Sequence, residues 1–409
     1  MTGFDTFLAA LSLQAGYNTG LVTVGAALLG VAGGGAGAFV FLRKRALVSD
    51  AISHATLPGV ALAFIVMVLL GGDGRWLPGL LAGSALSAAA GLLIVDRIAR
   101  TTRLSEDAAI GAVLSVFFGL GIALLTVIQT LPSGRQAGLG GFLLGQTAGM
   151  LASEAWTIAG AGALAALLVF VLRRPMMLVA FDAGFAAATG IDVRRADLAI
   201  LALALIVTVI GLKVVGLILV VALLIVPPVA ARFWTDRVGA LIAIAAAIGG
   251  GAGWFGAALS AGWDRLPTGP IIVLVAFALF AASLIFSPHR GVLAAALRHW
   301  RFHQRVHARQ GLLALARREP IFDRLTLRVL RRAGHIRRDG VATLAGRAAA
   351  AGALRDEARW DEARRASVFG AAVERYDGLT EIATLLTPDQ VADLDARLAA
   401  RASRAAGVA

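Results

Sequence analysis

The stretch Ala46-Leu47-Val48-Ser49-Asp50-Ala51-Ile52-Ser53-His54-Ala55-Thr56-Leu57-Pro58-Gly59-Val60-Ala61-Leu62-Ala63-Phe64-Ile65 decides how this chain is read. Its length and apolar character suit a bilayer span, yet it carries an aspartate and a histidine four residues apart. Ionisable groups inside a span are costly, so each marks a functional site by default. The i, i+4 spacing puts both side chains on one helical face, one turn apart. A carboxylate and an imidazole together suit Zn, Mn or Fe(II). Pro58 has no N–H, so the carbonyl of His54 loses its usual helical partner. Irregular backbone at membrane depth is tolerated where it lines a cavity. The alternative is structural: the two side chains bond each other and lock a pair of helices.

The rest of the chain supports a membrane setting. Of 409 residues, 58% are hydrophobic and only 15% charged. That is too apolar for a soluble protein of this size. There is no cysteine, which excludes disulfides and thiolate metal sites. The first twenty residues lack a basic n-region and a small-residue cleavage site, so the first span is expected to stay. Nine apolar segments are expected to form an all-α polytopic bundle of about 8–9 spans: 20–42, 46–70, 78–98, 107–131, 153–172, 198–212, 215–231, 238–259 and 269–287. The sixth and seventh are short enough to be a pair of half-helices. Gly141 to Gly149 is too short to span and reads as re-entrant or interfacial. Glycines at four-residue spacing (Gly30/Gly34, Gly33/Gly37, Gly249/Gly253) predict close helix packing.

Loop charge sets the orientation. Arg43-Lys44-Arg45, Arg97 to Arg103, Arg173-Arg174, Arg194-Arg195 and Arg232 to Arg237 fall on one side, expected to be cytoplasmic. This puts the N-terminus outside and the C-terminus inside. Residues 1–287 carry 16 Lys and Arg against 12 Asp and Glu, a net +4, whereas residues 288–409 carry 22 against 13, a net +9. Three domains are expected: a transmembrane domain at 1–288, a basic, His-rich juxtamembrane helix at 289–310, and a soluble helical domain at 311–409. The last should hold short helices broken at Gly334, Gly340 and Gly352. Contact with anionic membrane lipid suits the basic tail; nucleic acid is not an expected partner.

Further blocks follow in order: Leu104-Ser105-Glu106-Asp107-Ala108-Ala109-Ile110-Gly111, Gly141-Phe142-Leu143-Leu144-Gly145, Val215 through Ala230 with Pro227-Pro228, and Leu266-Pro267-Thr268-Gly269-Pro270. With the Asp50/His54 stretch, they closely resemble the ABC-type zinc/manganese/iron permeases, membrane subunits of bacterial metal importers. The resemblance runs nearly end to end over residues 20–287. It implies that Asp50 and His54 are intramembrane metal ligands on the ion's route, and His54 is the only histidine before residue 289. It further implies an inner-membrane location, delivery by an extracellular or periplasmic metal-binding protein, and a second permease copy or sister subunit. No cofactor is bound permanently; Zn, Mn or Fe is the cargo.

Uphill import needs an energy source, and the chain has no phosphate loop. Its two lysines follow Arg43 and Leu212, neither a glycine. The chain is therefore not itself an enzyme, and a separate cytoplasmic ABC ATPase subunit is expected. Phe181, Asp182, Phe185, Ala186, Gly190 and Ile191 lie in a short Ala-rich segment on the basic side that resembles the coupling helix of ABC importers. A stand-alone secondary cation transporter and a membrane-anchored regulatory protein are the alternative classes.

Glu106 and Asp107 open a span, where carboxylates favour a helix N-terminus; relay of the ion inward is the alternative. His299, His303 and His307 recur at four-residue spacing past the last span. They suit either an interfacial helix with aromatic and cationic anchors or a secondary metal site. The tail after residue 311 is similar to winged-helix metal-dependent repressors, but the metal-liganding Cys and His of a working sensor are missing, and only His335 is present there.

Overall fold

The computed structural model describes residues 3–72, 74, 76–130, 152–214, 216–263 and 266–406. The segment Gly141 to Gly149 lies outside them. The chain divides into two compact units, Met1–Ala294 and Ala295–Ala409.

The first unit is all helical among the described residues. It contains α1 (Gly3–Leu11), α2 (Tyr17–Leu42), α3 (Ala46–Leu69), α4 (Leu77–Thr101), α5 (Glu106–Thr130) and α6 (Ala152–Phe181). It continues with α7 (Ala183–Ala188), α8 (Val193–Val214), α9 (Leu217–Trp234), α10 (Val238–Gly262) and α11 (Thr268–Phe286). Eight of these, namely α2 to α6, α8, α10 and α11, are long and apolar enough to cross a membrane. The ninth expected segment, α9, is a shorter apolar helix; Gly216, at φ 91°, turns the chain between α8 and α9. Two elements depart from expectation. Helix α1 was not foreseen, because nine residues are too few for a hydropathy signal. Helix α6 does not stop at Arg173 but runs on through Pro175 to Phe181. The guanidinium of Arg173 lies 3.7 Å from the ring centroid of Phe170, so its charge is accommodated within the helix.

The small-residue pairs pack as their spacing implies. Helices α2 and α10 cross so closely that a Cβ on Gly30 or Gly34 would overlap a carbonyl oxygen of α10, at Gly249 and Ala245. Gly249 and Gly253 meet the carbonyls of Gly30 and Ala26 in return. Helices α3 and α4 cross in the same way at Gly59 and Gly83. With lipid outside there is no hydrophobic drive between helices, so close packing of this kind holds the bundle. Phe39, Ile52, Leu29 and Leu241 fill its centre.

Polar contacts tie the helix ends into two layers. At one end, Trp156 donates to the Tyr17 hydroxyl at 2.8 Å, and Ser260 bonds the carbonyl of Leu266 at 2.8 Å. At the other, Arg43 meets Asp197 at 2.7 Å, and Arg290 meets Asp236 at 2.7 Å. The second layer gathers the Arg-rich turns assigned to the cytoplasmic side.

The second unit holds most of α12 (Val292–Arg317), then α13 (Arg324–Arg332), α14 (Leu344–Arg365), the short α15 (Gly370–Val373) and α16 (Pro388–Ala406). Trp360, Ala363, Phe369, Ile382 and Leu394 form its core. Asp356 binds it together: one carboxylate oxygen takes Arg309 at 2.9 Å, and the other accepts the Ile382 N–H at 2.8 Å. Gly334 and Gly340 break the chain at positive φ, and an antiparallel bridge, Ile336 to Ala342, closes the turn that holds Gly340. Gly352 does not break it; α14 runs straight through. An isolated glycine costs a helix only about 1 kcal/mol, which its Ala-rich neighbours tolerate. The stretch expected as a separate linker, 289–310, lies largely inside α12, which continues to Arg317.

Candidate metal route

Asp50 and His54 lie on α3, among the buried residues Val48, Ala51, Ile52 and Ala55. Asp50 Oδ1 and His54 Nε2 are 3.4 Å apart. That exceeds the usual N–H···O length, so the pair is adjacent without being closed on itself. Both groups sit on one helix, so their mutual contact does not by itself join two helices. The Asp50 side chain is 41% exposed and that of His54 19%. The imidazole stands edge-on to Phe118 of α5, with centroids 5.0 Å apart at 89°. This ring contact fixes the imidazole plane. Phe118 carried no sequence signal, because an aromatic on an apolar helix reads as ordinary packing.

The pair also has unused bonding capacity. His54 Nδ1 is buried without a partner, and so are the hydroxyls of Ser49 and Ser53. Buried polar atoms are almost always paired, and an orphan calls for an explanation. The Thr56 hydroxyl donates to the Ser53 carbonyl at 2.5 Å, and Pro58 offers no N–H to the carbonyl of His54. Helix α3 thus presents a carboxylate, an imidazole and free oxygens along one stretch. Among the described residues no three His, Asp or Glu groups converge to hold a metal.

Glu106 is committed elsewhere: its carboxylate meets Arg45 Nε at 3.2 Å. This favours the structural role over relay of an ion. The Ala-rich segment forms α7. Asp182 caps it, accepting from the N–H groups of Gly184 at 2.9 Å and Phe185 at 3.0 Å. Gly190, at φ 87°, ends the turn that follows. Ala186 is fully buried against Val179 and Ala196, with Ile191 packed beside them, while Phe181 and Phe185 are exposed. A buried small face and an outward aromatic pair suit a docking element.

His299, His303 and His307 lie on α12. The rings of His299 and His303 are 4.3 Å apart, but His307 turns to Thr326 at 2.9 Å and Asp323 at 3.2 Å. Asp323 accepts from the Thr326 hydroxyl at 2.6 Å and, capping α13, from the Thr326 N–H, and these two hydrogen bonds hold its carboxyl below the ordinary carboxylate range. His307 therefore pairs with the start of α13 while its ring stacks 6.2 Å from that of His303, and among the described residues the three rings do not form a metal-holding cluster.

Sequence reasoning missed Arg43 and Asp197. Their pairing spans 154 residues and has no local signature.

A polytopic helical bundle with a half-buried acid–imidazole pair on an inner helix defines a membrane transport subunit. Residues 18–287 match the ABC 3 transport family, and the chain belongs to it. It is 43% identical over 298 residues to the "Manganese transport system membrane protein MntC" of Bacillus subtilis, covering 73% of this chain and 67% of that one. It is 39% identical over 285 residues to the "Zinc transport system membrane protein TroC" of Treponema pallidum, covering 70% and 94%. Among solved structures it resembles "PsaBC from Streptococcus pneumoniae in complex with Fab", with a TM-score of 0.60, 28% identity and coverage of 70% and 97%. The family match ends before the second unit, so the likeness of the tail to winged-helix repressors finds no counterpart in it.

Proposed function

We propose that this chain is the membrane subunit of an ATP-driven importer for a divalent transition metal, carried through the bacterial inner membrane between two permease copies. The observation that carries this reading is the Asp50–His54 pair, open to a cation at 3.4 Å and with an orphaned ring nitrogen. The named relatives are a manganese and a zinc transport system membrane protein, and one carboxylate with one imidazole accepts either metal. Iron has the same ligand chemistry but no such support.

Two ligands recover little of the cost of desolvating a divalent ion. A second copy related by twofold symmetry would offer four, and that geometry puts the ion between subunits. A binding protein would load the outer face. A separate ATPase subunit would dock on α7 and the end of α6, through Phe185 and Phe181, and its cycle would alternate access to the site. Transient gripping suits transport, because binding must be strong enough to accept the ion and weak enough to release it. The family assignment favours this coupled machine over a stand-alone secondary carrier. The second unit would then lie in the cytoplasm, with an assembly or regulatory role.

The test is uptake of Mn(II) and Zn(II) by cells expressing Asp50→Asn or His54→Ala. Each variant should lose uptake while still assembling with the ATPase subunit. Uptake at the unmodified rate in both variants would remove the ligand assignment.

A further inference from the structure

We propose that Arg43 and Asp197 are positioning residues that transmit movement of α7 to α3, the helix bearing Asp50 and His54. The inference rests on reading α7 as the ATPase contact and the Asp50/His54 pair as ion ligands.

The contacts form a continuous path. Val179, three residues before the Asp182 cap, is fully buried against Ala186 of α7 and Ala196 of α8. Its carbonyl accepts from Arg43 Nη1 at 3.1 Å, while Arg43 Nη2 meets Asp197 Oδ2 at 2.7 Å. Arg43 caps the C-terminus of α2, and Arg45 is the N-cap of α3. Only Lys44 separates them, in the left-handed region at φ 58°, so the turn has no slack. Arg45 extends the path, with Nη1 at 4.0 Å from Asp197 and Nε at 3.2 Å from Glu106 at the head of α5. Asp50 and His54 follow on the same unbroken helix, and Phe118 of α5 rests on the His54 ring. Both partners of the ligand pair are thus reached from α7 through the apolar packing of Val179, the Arg43, Asp197, Arg45 and Glu106 charges, and the Phe118 ring.

Stability alone is a weak reason for this arrangement. The Arg43 and Asp197 side chains are only 21% and 18% exposed, and a buried ion pair often contributes no more than well-packed apolar groups would. The pair is also unsaturated, since Arg43 Nε and Asp197 Oδ1 are buried without partners. What such a pair does supply is fixed geometry between five helix ends, because charge-assisted contacts are directional where apolar packing slides. A step at α7 would reach the base of α3 as a displacement of Arg43 and Arg45.

The experiment uses the permease reconstituted with its ATPase subunit in proteoliposomes. It reads ATP hydrolysis and uptake of Mn(II) and Zn(II) together, for Asp197→Asn, Arg43→Met and the reversed pair Arg43→Asp with Asp197→Arg. Each single variant should keep its hydrolysis rate and lose about tenfold in ions moved per ATP, a coupling loss within the usual range between distant sites. The reversed pair restores the ion pair but not the donor to the Val179 carbonyl, so it should recover part of that ratio and exceed both single variants. An unchanged ratio in both single variants overturns the inference. So does failure of all three variants to assemble, which would make the pair a folding element. Asp50→Asn is run alongside. Loss of uptake there with normal coupling in Asp197→Asn rejects the transmission role alone, whereas full uptake in Asp50→Asn rejects the ion route and this inference with it.

Discussion

The α2–α10 seam gives a prediction whose size follows from two glycines on one helix. Gly249 faces the carbonyl of Gly30 so closely that a Cβ would overlap it, whereas Gly251, two residues on, has nothing within 4 Å of where a Cβ would sit. Replacing either by alanine gains the same helix propensity, about 1 kcal/mol. Only Gly249→Ala must also push two backbones apart, and overpacking of that kind costs about 1–3 kcal/mol. The shared propensity gain cancels in the comparison, so the difference between the two variants isolates the packing cost of about 1–3 kcal/mol. Gly251→Ala should match or exceed the stability of the unmodified chain, and Gly249→Ala should fall below Gly251→Ala by that margin. Unfolding of the purified protein in detergent, followed by tryptophan fluorescence, reads both. Equal shifts for the two variants would show that α2 and α10 do not meet through these glycines.

Three further outcomes follow. Phe185→Ala removes an exposed ring and leaves the Asp182 cap in place, so stability should stay within about 0.5 kcal/mol while co-purification with the ATPase subunit is lost. Trp360→Ala empties the centre of the second unit and orphans the Thr380 carbonyl, which accepts from the indole at 3.0 Å; calorimetry of the full chain should show that unit losing about 3–5 kcal/mol. Asp377 accepts from the N–H groups of Leu379 and Thr380 and from the Thr380 hydroxyl, which lower its carboxyl from 3.8 to about 2. The folded form is the weaker proton binder, so this stabilisation is present above the ordinary carboxylate value and is lost as pH falls through about 2. Protection of the Leu379 and Thr380 amides against hydrogen exchange should decline across that window, and not in Asp377→Asn.

Much of this fold is legible because a bilayer leaves few options. Continuous apolar runs must be helices, and Arg-rich turns must share a side. The spans missed or misjudged are those where local signals mislead. Arg173-Arg174 reads as a helix end, yet Arg173 lies on Phe170 and α6 continues past Pro175. Gly352 reads as a break, yet it has no positive φ to impose and α14 absorbs it. The ligand pair was legible because a charge in a span is an anomaly that one helix already displays. The Arg43–Asp197 pair was not, since each residue alone is an ordinary loop charge and only the folded bundle brings them within 2.7 Å.

The central claim is that Asp50 and His54 of two chains hold one ion. The most direct measurement is metal content and ligand type, by elemental analysis and X-ray absorption, of the purified permease equilibrated with Mn(II) or Zn(II). One ion per two chains, in a mixed carboxylate and imidazole shell that disappears in Asp50→Asn, is the predicted result. An ion retained with the same shell in both Asp50→Asn and His54→Ala would contradict the account.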